Sequence, residues 1–156
     1  MMPDQPSGMA PPAPLGRRLL ARLVDTVVLV VIDLLLGLAI AGEDMNSSDV
    51  SRGKQVLLAV LVFVLYFAYE GAMTAARGQT LGKMALGIRV ARLVDGAVPG
   101  RAGWVRAAVY ALPGLLIVVL IGPLFWLLDS LWCTWDRPYR QCLHDKAAKT
   151  VVVAAV

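Results

Sequence analysis

Four ionisable side chains stand where apolar chemistry should exclude them. In RLLARLVDTVVLVVIDLLLGLAI (Arg18–Ile40), Arg18, Arg22, Asp25 and Asp33 interrupt an otherwise apolar run. On a helix, Arg18 and Asp25 are seven residues apart and share a face, and Arg22 and Asp25 are three apart and adjacent. A charge at the bilayer centre costs about 2.5–3.5 kcal/mol on insertion scales. That cost falls for a carboxylate beside a guanidinium facing a bundle interior, and arginines can extend their heads back toward the headgroups. Arg18, Arg22 and Asp25 are therefore expected to form a polar cluster at one end of the helix, serving either as a topology lock or as an ion or proton site. Asp33 lies about 12 Å further along the axis, without a cation within one turn of its own helix. It has to be protonated, paired with another helix or in contact with water.

The elements that carry these residues follow from hydropathy. The chain has 156 residues, enough for one domain, with 58% hydrophobic residues and a mean hydropathy of +0.69. The apolar residues are clumped. Leu23–Ala41 holds only Asp25 and Asp33 as charges, Val56–Met73 is broken only by Glu70, and Ala107–Leu128 carries none. A bilayer takes about 20 apolar residues per helix, so the expected class is an all-α, polytopic integral membrane bundle. A signal peptide does not fit the first run, which is too long, lacks a clear cleavage site and is followed by two more runs. Membrane segments are predicted at about 19–41, 55–73, 104–121 and 123–135. Residues 1–14, with five of the nine prolines, read as a disordered cytoplasmic tail preceding a membrane domain over 15–156.

Charge orients these segments. Arg17, Arg18 and Arg22 at the start of the first helix, and the basic stretch 75–106, belong in the cytoplasm, while the acid-rich loop Gly42–Lys54 belongs outside. Trp104–Trp135 would extend roughly 48 Å as one helix, too long for a straight crossing of about 30 Å. Pro113–Gly114 and Gly122–Pro123 can break it. One reading has three crossings and an outside tail; the other, slightly favoured by the basic tail residues Arg137, Arg140, Lys146 and Lys149, has four segments, the last two short, and a cytoplasmic C-terminus. In the latter, Arg106 has to reach back to the headgroups. Alternation around Ile88–Val94 followed by Asp95–Gly96 predicts a short strand or hairpin at the membrane surface.

Other chemistries find little support. GQTLGK (Gly78–Lys83) has three residues between its glycines rather than the four of a phosphate-binding P-loop, and Met84 follows the lysine, so it reads as a surface turn. Glu70 is placed at the inner end of the second helix, and Tyr66, Tyr69, Trp126, Trp132 and Trp135 fit interfacial or packing roles. Cys133 and Cys142 with the lone His144 are not a metal signature. No basic run interleaved with aromatics suggests nucleic acid. No metal, cofactor or catalytic constellation is expected; the chain reads as a non-enzyme whose partners are the lipid bilayer and either copies of itself or a larger membrane complex.

Three stretches together resemble a known family. RRLLARLVD fits Arg-x-x-Ala-x-x-x-Asp through Arg18, Ala21 and Asp25, and GQTLGKMALGIRV (Gly78–Val90) and DRPYRQCLHDKAAKTVVV (Asp136–Val153) fit two further blocks. In that order they resemble the RDD family of small bacterial membrane proteins, over about residues 15–154. The resemblance makes Arg18 the family arginine, Asp25 its first aspartate and Asp145 its second, and leaves Asp33 outside the motif. Ala148-Lys149-Thr150 departs from the usual Ala-Gly-Thr. The family's molecular role is unsettled, with transport and ion/proton antiport suggested for some members. The implied protein is a multi-pass inner-membrane protein that handles ions or protons through its Arg/Asp cluster. The alternative is an accessory subunit docking through a small-residue face such as Gly37-x-x-x-Ala41.

Overall fold

A computed structural model describes residues 9–42, 51–113 and 121–155. Residues 1–8 of the proline-rich stretch, the acidic residues Glu43, Asp44 and Asp49, and Gly114 lie outside the described residues.

Two long helices dominate. α1 (Leu15–Ala41) starts after Pro14. α2 (Arg52–Arg77) is capped by Ser51, whose side chain accepts from the Lys54 N–H, and ends at Gly78 with φ +69°, where the chain turns left-handed and Gly78 N–H donates to Thr74 O. Both are long and apolar enough to cross a membrane, with mean hydropathies of 2.6 and 2.1. A soluble core helix would bury such a surface. Here only 6% of the apolar window of α1 and 11% of that of α2 is buried, and Val27, Val31, Leu34, Val60 and Val64 point outward. That surface is matched to lipid.

The chain folds compactly at one end of this pair. Short α3 (Leu81–Ala85) leads to β1 (Ile88–Arg92). α4 (Arg101–Ala111) packs along the C-terminal end of α2, α5 (Ile121–Trp135) returns, and α6 (Leu143–Ala147) precedes β2 (Thr150–Ala154). The helical class holds, with an addition the sequence did not predict: β1 and β2 pair antiparallel, Val90 opposite Val152. The Asp95–Gly96 turn forms, with Gly96 N–H bonded to Arg92 O, but no return strand follows it. Pro99 lacks a donor and Gly100 starts α4, so the partner comes from the apolar C-terminal residues 151–153 instead.

The tail expectation is also corrected from Met9 onward. Ala13 N–H donates to Val152 O at 2.9 Å, Pro12 bridges Val153, and Ala154 N–H donates to Pro11 O. The N-terminal segment forms a third row beside β2 because β2 would otherwise expose an unpaired edge. Ala13, Ala21, Ile88, Val90 and Val152 fill one face of the sheet, and Ala91, Val151 and Val153 the other. The start of α1 and the C-terminal strand therefore meet at one end of the α1–α2 pair. Gly122 and Pro123, expected to break the segment, lie within α5, whose described residues begin at Ile121. α4 ends at Ala111, and residues 114–120 of the expected segment over 104–121 lie outside the described residues.

Candidate functional site

Where α1, α2, α3, α4, α5 and α6 converge, the chain buries a network of charges. Glu70 of α2 is its hub and is fully buried. Its Oε2 pairs with Arg22 Nη1 of α1 at 3.2 Å, and its Oε1 with Lys83 Nζ of α3 at 3.4 Å and with Arg106 Nη1 of α4. Arg106 also donates from Nε to Asp145 Oδ1 of α6 at 2.8 Å and from Nη2 to His144 Nε2 at 2.8 Å. His144 Nδ1 faces Asp129 Oδ2 of α5 at 2.6 Å, and its backbone N–H donates to Asp129 Oδ1 at 3.0 Å. Arg22 is further held by the Tyr66 hydroxyl at 3.1 Å and sits 4.1 Å from the centre of the Tyr110 ring.

Asp25 anchors the other side. It accepts from Tyr69 Oη at 2.7 Å, from Gly82 N–H at 2.8 Å and from Thr80 Oγ1, with Lys83 Nζ at 4.0 Å. Tyr69 Oη in turn accepts from Leu81 N–H at 3.0 Å. The carboxylate thus seats α3, and with it the 78–90 stretch, against α1. A side chain at Gly82 is impossible at this distance: an added Cβ would lie 2.0 Å from Ala21 O. Gly103 plays the same part between α4 and α2, where a Cβ would meet Ala75 N at 2.6 Å.

Arg22, Lys83 and Arg106 pair with Asp25, Glu70 and Asp145, Asp129 faces His144, and among the described residues the one buried side-chain polar atom left unsatisfied is Thr74 Oγ1. A satisfied buried network defines one geometry, because losing either partner of a pair strands a charge. Burial pulls the Lys83 ammonium down to about 8 against the pull of Glu70. Burial and the neighbouring Arg106 charge lower His144. Burial would raise the Asp145 carboxyl, but the charge and hydrogen bond of Arg106, with His144 and Arg18, together hold the group well below the usual carboxylate range.

The expected Arg18–Asp25 pair does not form. Two turns separate the residues, about 10 Å along the axis, and each finds nearer partners. Arg18 donates to Ala13 O at 3.1 Å, to Val152 O at 2.9 Å and to Arg140 O, tying α1 to the sheet and the C-terminal block. Arg22 turns to Glu70 rather than to Asp25. Asp145 lies in the network, and Arg106, expected to reach back to the headgroups, is at its centre and 2% exposed. GQTLGK is likewise more than a surface turn, since Thr80, Gly82 and Lys83 all contact the carboxylates. Sequence reasoning missed Glu70, Lys83, Arg106, Asp129 and His144 as a set. The available signal was an ionisable residue inside or bordering an apolar run, which marks Glu70, Arg106 and Asp129 as readily as Asp25.

Asp33 stands apart. It lines a cavity of about 680 Å³ between α1 and α2 that Arg22, Asp25, Thr26, Tyr66 and Trp126 also border. Asp33 has no hydrogen bond or ion pair among the described residues. Gly37 makes no close helix contact, its would-be Cβ lying 4.0 Å from Leu58 Cδ2.

The RDD family profile matches residues 12–149. This chain belongs to the RDD family. Comparison with curated proteins and with solved structures returns no match. The RDD match begins at Pro12, where the N-terminal segment meets β2, and takes in every charged member of the network. Family membership together with two long, outward-facing apolar helices makes this RDD chain a transmembrane protein. The arginine and two aspartates assigned by resemblance do not touch one another as a triad: each holds a different junction, Arg18 the sheet, Asp25 α3, and Asp145 α4 with α6.

Proposed function

We propose that this RDD protein carries protons or small ions across the membrane, with Asp33 as the group that binds them and the charge network as the fixed base of the path. The observation that carries the reading is the 680 Å³ cavity, which places the unpaired Asp33 carboxyl in the same space as Arg22 and Asp25. Intramembrane acids mark ion and proton pathways. Asp25, with its oxygens already committed to α3, serves architecture, and Asp33 is the group free to exchange. Two helices with so little mutual burial do not enclose a path, so an oligomer supplies the remaining wall.

The network end lies in the cytoplasm in this reading, because Arg17, Arg77, Arg101, Arg137, Arg140, Lys146 and Lys149 gather on the segments that converge there. α4 enters the membrane from that face and α5 returns to it, making the last two segments a short hairpin in a bacterial inner membrane. No step of the reading requires catalysis.

The test is dissipation of an imposed pH gradient by purified protein in liposomes carrying an internal pH-sensitive dye. Wild type should collapse the gradient faster than empty liposomes, and Asp33→Asn should return the rate to that of empty liposomes while keeping wild-type thermal stability in detergent. Equal rates for wild type and Asp33→Asn overturn the reading. The second reading, an accessory subunit of a larger membrane complex, rests on the open face around Gly37; it gains if a stoichiometric membrane partner co-purifies and the liposomes stay tight.

A further inference from the structure

Asp129 differs from every other carboxylate in the network. Glu70 has three cations around it and Asp145 has Arg106, but Asp129 meets only His144. A guanidinium has donors and no acceptor, so Arg106 Nη2 at 2.8 Å from His144 Nε2 makes that nitrogen the acceptor and puts the ring proton on Nδ1. The imidazole facing Asp129 is then neutral. Asp129 is fully buried against it, a negative charge with no counter-charge in direct contact among the described residues.

Two thiols complete the surroundings. Cys133 lies four residues after Asp129 on α5, one turn along the same face. Cys142 is the N-cap of α6, two residues before His144. One ligand atom each from Asp129, Cys142 and His144 lie within 4.8 Å of one another. The Cys133 thiol donates to Ser130 O at 3.1 Å, and neither cysteine is in a disulfide. All four residues line one cavity of about 380 Å³. Asp-x-x-x-Cys on one helix and Cys-x-His at the start of the next offer four donors from two elements, the number a closed zinc site takes.

We infer that Asp129, Cys133, Cys142 and His144 form a tetrahedral site for a thiophilic divalent cation, with Zn²⁺ as the fitting ion. Sulfur and imidazole donors select zinc-like ions over Mg²⁺ or Ca²⁺. The charges also close. A divalent ion with two thiolates and one carboxylate leaves one negative charge, and Arg18 lines the same cavity while spending its own hydrogen bonds on carbonyls. His144 ligates through Nδ1, which moves its proton to Nε2; Arg106 then gives up its contact with that nitrogen and keeps Asp145 and Glu70, and Asp145 Oδ1, 3.7 Å away, is the nearest acceptor for the Nε2 proton to approach. A carboxylate behind a ligating imidazole is the usual support of such sites. The bound ion ties α5 to the C-terminal block that carries α6 and β2. The inference stands independently of ion transport through the Asp33 cavity.

Full-length, tag-free protein in detergent, stripped with a chelator, is titrated with Co²⁺. Thiolate-to-cobalt charge transfer and tetrahedral d–d bands should saturate at one ion per chain and vanish on adding Zn²⁺. Cys142→Ser and Asp129→Asn should lose the bands. Should either variant fail to fold, a wild-type measurement decides: Zn²⁺ should slow maleimide labelling of Cys133 and Cys142. Absence of a thiolate band in wild type, its persistence in Cys142→Ser, or labelling equally fast with and without Zn²⁺ overturns the site.

Discussion

The outer halves of α1 and α2 and the end where the other elements gather obey opposite rules. In the first region the side chains are apolar, outward-facing and nearly untouched by the rest of the chain. In the second, charges are buried at close to zero exposure and backbones approach so tightly that Gly82 and Gly103 have no room for a methyl group. The difference teaches where this fold gets its specificity. Lipid tails are as apolar as leucine, so apolar contact between helices gives little preference for one arrangement. Directional contacts have to supply it, and they are concentrated at one end, around Glu70, Arg106 and Asp25.

Substitutions should sort by region. The largest effect is expected at the hub. Glu70→Ala strands Arg22, Lys83 and Arg106 together and should cost about 3–5 kcal/mol, enough to prevent accumulation. Asp25→Ala removes the acceptor for Tyr69, Thr80 and Gly82 N–H and should cost about 1–3 kcal/mol, with Asp25→Asn milder because one carbonyl oxygen remains. Val31→Ala on the lipid face should stay within about 0.5 kcal/mol. Accumulation and, for the variants that accumulate, thermal unfolding in detergent measure all four, and a Glu70→Ala protein that accumulates and is as stable as Val31→Ala would erase the contrast between the regions.

A matched pair of glycines sharpens it. Gly82→Ala pushes a methyl group into Ala21 O and should destabilise by about 1–3 kcal/mol. Gly37→Ala meets only Leu58 at 4.0 Å and should be neutral or slightly stabilising through helix propensity. If Gly37→Ala proves the more damaging of the two, α1 packs closely through its small-residue face against something other than this chain.

The smallest effect is a pH dependence confined to the buried end. Lys83 has its folded-state value lowered to about 8 from 10.5. Below pH 8 the ammonium is charged in both states, and its burial weighs against folding. Between about pH 8 and 10.5 the folded protein releases this proton before the unfolded chain does, so stability rises across that window through this group. The melting temperature of wild type relative to Lys83→Met should therefore climb from pH 8 to 10.5. A flat difference means that Lys83 keeps an ordinary value and that the end is wetter than its packing implies.

Much of the outline was legible before any coordinates. The two long apolar runs, the polar residues near the start of α1, the strand near Ile88 and the membership in a membrane family all follow from local pattern. Asp25 and Asp145 were singled out because each interrupts or borders a recognisable block. Their partners were not, because Asp25 meets Gly82 across 57 positions and Arg106 meets Asp145 across 39. Periodicity reports which side of its own helix a residue occupies, and it carries no information about which distant element arrives there.

Hydropathy alone determined that α1 and α2 face lipid, since a run of some twenty apolar residues has few alternatives to a membrane. Tertiary structure alone decided the fate of the charges. A buried ion takes the nearest partner that also satisfies its remaining hydrogen bonds, and that partner is set by how the helices pack. Arg22 therefore turned from the nearby Asp25 to Glu70, Arg18 took carbonyls of the C-terminal block, and the proline-rich segment from Met9 became the edge of a sheet whose partner strand lies at the other end of the chain.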